Sequence, residues 1–298
     1  MRLLILILLF PFIAQGQIVR THPYYKPPVS GCSYLLDQYS GAAAAYSLRK
    51  LDCDYAGSAI RVRRSSDNTE SDIGFTSAGD LDTAALKTFV GTGGTDDGFV
   101  VTGYDQSGNG NNVTQSTAGN QPLIMDNGVV LRQGGKPSIY FDGSNDYLIQ
   151  SSFTISTYLS LYIVVNSPSF LVEHSANANN NDGFYFYGLN NESWLFRRTS
   201  VNSARGSSGW SANQYIIADL QYNGSGAYYK NGVQQTNGTI TGTSLSNTSA
   251  TASLNIMARP SASLYMSGYL SELIIYDSDK TSDASSIRSN INTYYSIY

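Results

Sequence analysis

This chain has little charge. Of its 298 residues, 18 are Lys or Arg and 22 are Asp or Glu, 13% in all, against about a quarter in an ordinary globular protein. That excludes charge-laced coiled coils and helical bundles, and charged disorder as well. The net charge of −4 gives no basic footprint for nucleic acid. Histidine and cysteine number two each, too few for zinc-finger spacing or most histidine-built metal sites. Beyond the N-terminus there is no apolar run long enough to span a bilayer. What the chain does have is 41% hydrophobic residues, 23 Tyr and 28 Gly. That is material for one large β domain or two ordinary ones, with a substantial core and many turns.

Met1 and Arg2 precede an apolar run from Leu3 to Ala14, and Ala14-Gln15-Gly16 places small residues at −3 and −1 of a cut before Gln17. This three-part pattern predicts a signal peptide over 1–16, and hence a secreted or surface-displayed protein, a virion surface included, with no membrane span once the signal is removed. Residues 17–31, with Pro23, Pro27 and Pro28, read as an extended leader. The domain itself is expected over 32–298. An oxidising compartment favours a Cys32–Cys53 disulfide over two separate buried thiols.

Strands are expected at Ala59–Arg63 and Phe99–Tyr104, and a short helix over Asp82–Phe89 with an Asp cap. Ala42–Leu48 reads as either helix or strand. From Pro122 onward, apolar or aromatic runs of about five to eight residues alternate with Gly/Asn/Ser turns, and Asn231-Gly232 marks a hairpin. Ala284, Ile287, Ile291, Tyr294 and Tyr298 fall at helical spacing. The whole predicts an all-β sandwich, a jelly roll, with a short C-terminal helix.

Three segments carry a resemblance: Ala45-Tyr46-Ser47-Leu48-Arg49, Ala59 to Asn68, and the loop Tyr104-Asp105-Gln106-Ser107-Gly108-Asn109-Gly110-Asn111. In order and spacing they resemble the catalytic domain of the arabinofuranosidase B family, family-54 glycoside hydrolases, over about residues 32–115. Phe141 to Leu148 and Gly268 to Tyr276 look more like the broad concanavalin A-like and laminin-G-like superfamily. Both resemblances imply a concanavalin-like jelly roll, and they imply different functions.

The hydrolase resemblance implies a nucleophilic Glu on a central strand, for which Glu173 is the counterpart. The adjacent Cys pair that precedes this strand in the family is missing. The family's acid/base Asp corresponds to Met257–Ala262, which holds no carboxylate; Asp182, Glu192, Glu272 and Asp277 are the substitutes. Glu272 also reads as alternating outward on its strand, and Asp277 as ending it. The bland alternative for Glu173 and His174 is a surface pair at a strand end.

Sugar sites use aromatic faces and amide or carboxylate side chains. Trp194, Trp210, Tyr185, Tyr187, Asn181 and Asp182 are candidates, against core packing and turn formation as the plain readings. Asp105, Gln106, Ser107 and Asn109 offer oxygen ligands to Ca²⁺, but with one carboxylate they fit a backbone-capping turn better. No other metal or cofactor is expected. Arg61, Arg63 and Arg64 read as an ion-pair cluster near Asp67. The sequence therefore favours a glycan-binding or surface-attachment module over an enzyme. An arabinofuranosidase-type hydrolase stands as the alternative, and a self-assembling structural or decoration protein as the third reading.

Overall fold

The computed structural model describes residues 31–155, 158–167, 169–174, 184–189, 193–198, 205–206, 214–223, 226–235, 250–259 and 263–298. The expected signal peptide, 1–16, and nearly all of the expected leader, 17–31, lie outside the described residues. In chain order the first half contains α1 (Leu35–Gln38), β1 (Ala44–Ser47), β2 (Ile60–Arg64), β3 (Glu70–Ile73), α2 (Thr83–Val90) and β4 (Gly98–Gly103). Short strands follow: β5 (Val113–Thr114), β6 (Leu123–Asp126), β7 (Val129–Val130), β8 (Arg132–Gln133), β9 (Lys136–Pro137) and β10 (Ile139–Asp142). Longer ones come next: β11 (Leu148–Ile155), β12 (Leu159–Asn166), β13 (Phe170–His174), β14 (Phe184–Leu189), β15 (Ser193–Arg198), β16 (Arg205–Gly206) and β17 (Tyr215–Tyr222). The chain closes with β18 (Gly226–Lys230), β19 (Val233–Gln235), β20 (Ala250–Ile256), β21 (Ala258–Arg259), β22 (Leu264–Tyr265), β23 (Ser267–Tyr276) and α3 (Ala284–Tyr295).

Every strand pairing is antiparallel. One sheet runs β19–β18–β17–β12–β23, and the free edge of β23 is shared end to end by β1 and β10. The other runs β15–β14–β13–β20–β11–β5–β4–β2–β3. Strand β6 links them by pairing with both β4 and β10. This is the all-β jelly-roll sandwich that the strand spacing predicts.

The main core lies between the sheets and includes Phe141, Phe153, Leu161, Ile163, Phe170, Val172, Phe186, Ile256 and Leu273. A second apolar layer covers the outer face of the first sheet. There Tyr162, Val164, Ile217, Ile274 and Tyr276 pack against Leu35 and Leu36 of α1 and Ile287, Ile291 and Tyr295 of α3. Both faces of β12 are thus buried, which explains its unbroken apolar run Leu161–Val165. Each fully buried Ile of α3 contributes about 1.5–3 kcal/mol. Tyr295, not Tyr294, completes the buried stripe of α3; Tyr294 instead donates its hydroxyl to Asp80.

Local signals are met as the residues dictate. The carboxylate of Asp82 accepts from the Ala84 and Ala85 amides and caps α2. Asn231 (φ 51°) and Gly232 (φ 76°) form the tight turn between β18 and β19. The ambiguous Ala42–Leu48 stretch contains β1, because its amides and carbonyls complete the edge of β23. Cys32 and Cys53 are disulfide-bonded, with Cα atoms 6.0 Å apart. Among the described residues no helix is long and apolar enough to cross a membrane.

Candidate active site

The second sheet carries one row of cross-strand partners on the face turned away from the core. In order across the strands the row is Asp72, Arg61, Thr102, Thr114, Ile149, Asn255 and Glu173. Their flanking neighbours Val62, Val113, Leu148, Ile256 and Val172 are core residues, so the period-two alternation puts this row outside. At the β3 end the row is exposed, and Arg61 binds Asp72 through Nε at 2.8 Å. At β13 it is sealed: Glu173 is 2% exposed and Asn255 5%.

Glu173 is held by Arg259, whose Nε donates to Oε1 at 2.8 Å. Arg259 reaches it because the chain breaks its alternation at Met257. That residue sits in the left-handed region (φ 63°) and is itself buried. Its amide donates to the Leu171 carbonyl, which anchors the bend to β13. Non-glycine residues in this region store strain, and such strain concentrates where a side chain must be aimed. The resulting pair sets a guanidinium against a buried carboxyl group, the arrangement that offsets the cost of burying it. The surface-pair reading of Glu173 and His174 is therefore corrected, since both are buried and face opposite sides of the sheet. His174 belongs to the core: Nε2 lies 2.7 Å from the Phe153 carbonyl oxygen and its ring stacks on Phe184.

The Tyr104–Asn111 loop is a structural staple. Asp105 Oδ1 accepts from the Ala45 and Ser107 amides, and Oδ2 from the Asn111 amide and the Ser107 hydroxyl. Gln106, 1% exposed, accepts from the Leu51 amide and donates to the Ser47 and Arg49 carbonyls. Asn109 donates to the carbonyls of Ala42 and Ala43, while the Tyr104 hydroxyl goes to Asp72. Together these bonds fasten β1 to the end of β4. A cation would have to displace four donors from the loop's one carboxylate, so the donor set does not fit Ca²⁺.

Other charged candidates resolve into scaffold. Glu272 does not alternate into solvent: it is 1% exposed and takes a bidentate pair from Arg49, Nε to Oε2 at 2.7 Å and Nη2 to Oε1 at 3.0 Å. Its placement on β23 puts it in the other sheet. Asp277 follows β23 and lines an open groove of about 430 Å³ with Asn109, Asn111 and Thr154. Of the arginine cluster, only Arg64 pairs with Asp67; Arg61 takes Asp72, and Arg63 bonds Gln121 and Asn68. Tyr185 and Tyr187 are positions of β14, paired with Glu173 and Leu171 of β13. Trp194 is a position of β15. Asn181, Asp182, Glu192 and Trp210 lie outside the described residues. The sequence singled out Glu173 but missed Arg259 and Asn255, whose only signal is pairing across strands distant in the chain.

Residues 34–155 match a family model described as the catalytic domain of alpha-L-arabinofuranosidase B. None of the curated protein sequences compared with this chain matches it. Among solved structures it superposes on a family-54 α-L-arabinofuranosidase soaked with a cyclic sulfate inhibitor, at TM-score 0.67 and 16% identity. A Glu-to-Gln mutant of such an enzyme soaked with 4-nitrophenyl α-L-arabinofuranoside gives 0.67 and 17%. An arabinofuranosidase complexed with arabinofuranosyl-α-1,2-xylobiose gives 0.63 and 16%. Each superposition covers 87% of this chain, which spans 65%, 65% and 64% of those chains respectively. At this identity the likeness establishes the fold. These matches bear on the arabinofuranosidase resemblance and not on the wider concanavalin superfamily. They also overturn the preference for a glycan-binding or attachment module, because the matching family model is that of a catalytic domain and these three structures are hydrolases.

Proposed function

We propose that this chain is a retaining glycoside hydrolase acting on α-L-arabinofuranosides, with Glu173 as its nucleophile. The observation that carries the reading is Glu173 itself. It is a buried, Arg-clamped carboxylate on the outward row of a sheet, in a chain whose 34–155 span matches an arabinofuranosidase catalytic model. Glu173 lies beyond that span, so its role rests on its place in the sheet. In the reaction, a Glu173 carboxylate oxygen bonds to the anomeric carbon while the glycosidic C–O bond breaks. The leaving oxygen takes a proton from a second carboxylic acid, and water, deprotonated by that same group, then releases the sugar. Glu272 is committed to Arg49 in the other sheet, and Asp277 follows a strand of that sheet. Of the two remaining substitutes, Asp182 between β13 and β14 and Glu192 between β14 and β15, we assign Asp182 as the acid/base, since its segment follows directly from the Glu173 strand.

The test is hydrolysis of 4-nitrophenyl α-L-arabinofuranoside by the full chain. Wild type should turn it over with retention, and Glu173→Gln should lose at least about 10⁴-fold in kcat. Asp182→Asn should lose most on substrates with poor leaving groups and least on the nitrophenyl glycoside, where proton donation matters little. Absence of turnover by wild type, or undiminished turnover by Glu173→Gln, would refute the proposal.

A further inference from the structure

Asn255 is the direct partner of Glu173 across the β13–β20 pair, which places their Cβ atoms about 5 Å apart on one face. Its side chain is almost wholly buried. Nδ2 donates to Ser253 Oγ at 3.3 Å, while Oδ1 is sealed from solvent without a hydrogen-bond partner. Turning the amide over does not remove the deficit. The Ser253 hydroxyl both gives and accepts, so one end of the amide is left over in either orientation. Buried polar groups in folded proteins are paired as a rule, and an unpaired one calls for a reason. A sugar hydroxyl, donor and acceptor at once, completes this amide whichever way it is turned.

We infer that Asn255 binds a substrate hydroxyl beside the reacting carbon and sets specificity for it. This rests on the reading of Glu173 as nucleophile. With the anomeric carbon against Glu173, its two ring neighbours are the ring oxygen and the carbon bearing the 2-hydroxyl. Of these only the second offers a hydroxyl, and among the described residues Asn255 is a cross-strand neighbour of Glu173 with an unfilled polar end. The ligand class is a furanoside with a free 2-hydroxyl.

The experiment compares wild type with Asn255→Ala, each given 4-nitrophenyl α-L-arabinofuranoside and its 2-deoxy analogue, with binding of the two methyl glycosides measured by calorimetry. Wild type should favour the 2-hydroxyl sugar at least tenfold in kcat/KM and in Kd. Asn255→Ala should bring the two sugars within about threefold while its Tm stays within about 2 °C of wild type, since the side-chain bond it gives up is the long 3.3 Å contact to Ser253. An unchanged ratio in Asn255→Ala, or no preference in wild type, overturns the inference and leaves the hydrolase reading standing. Binding with a 2-hydroxyl preference that Asn255→Ala abolishes, without turnover, upholds the inference and refutes hydrolysis. Failure of wild type to bind or cleave either sugar overturns both.

Discussion

Replacing Arg259 by Met would leave the Glu173 carboxylate buried without the cation that faces it at 2.8 Å. Removing one partner of a buried ion pair costs about 3–5 kcal/mol, most of it the price of an uncompensated charge. The Arg259 side chain keeps 15% of its exposure against 2% for Glu173, which argues for the lower end, about 3 kcal/mol. For a chain of this size that is a fall in Tm of roughly 5 °C at pH 7. Because the cost is a stranded charge, removing the charge should restore stability. The double variant Glu173→Gln/Arg259→Met should recover at least half of the loss. Thermal unfolding of wild type, both single variants and the double variant completes the cycle. A Tm for Arg259→Met within 2 °C of wild type, or a double variant no better than the single, would show that Glu173 does not depend on Arg259 for its burial.

Two further outcomes follow from groups elsewhere in the fold. Asp219 is pushed up to about 7 by burial beneath α3, with the Arg288 guanidinium pulling the other way, and its Oδ2 and the neighbouring Gln221 Oε1 are buried without partners. Unfolded, it titrates near pH 3.9. Between about pH 4 and 7 the folded state holds a proton the unfolded state has lost, so stability should fall as pH rises, by at most about 1.4 kcal/mol per unit. Asp219→Asn should flatten that slope in urea titrations, leaving the smaller share of Asp146, which burial pushes up to about 6; an unchanged slope would count against this. Reducing the Cys32–Cys53 bond, with a sequence separation of 21 residues, should cost about 3 kcal/mol by chain entropy, read as a lower Tm in dithiothreitol.

The strand rhythm was legible where a short apolar or aromatic run is bounded by Gly, Asn or Ser, as in Leu159–Asn166 and Phe170–His174. Elements without that contrast escaped notice. Strand β3 reads Glu-Ser-Asp-Ile, with one core residue, and is an edge strand whose Asp72 pairs with Arg61. Helix α1 spans four residues, too few to show a period. Periodicity gives the face of a residue on its own element but not the neighbour across the ladder. Hence Glu272 looked like an outward residue until Arg49, 223 positions away, was seen to bind it. Glu173 likewise stood beside a histidine in sequence but faces Arg259, 86 positions on.

That separation bears on how far the family match can be carried. The most recognisable segment, Tyr104 to Asn111, spends its carboxylate and amides on backbone groups of β1 and the loops near it. Its chemistry is that of a fastener, and it lies inside the matched span 34–155. Glu173, Asn255 and Arg259 all lie outside that span and meet only because β20 pairs with β13 and bends at Met257. The matched span therefore carries the scaffold. Any hydrolytic chemistry resides in the side chains beyond it. There an arginine stands against the proposed nucleophile where a retaining hydrolase needs a second carboxylic acid within about 5–5.5 Å. That acid must be brought by another segment, which makes the Asp182 variant the measurement that separates an active hydrolase from a scaffold that has kept only its nucleophile.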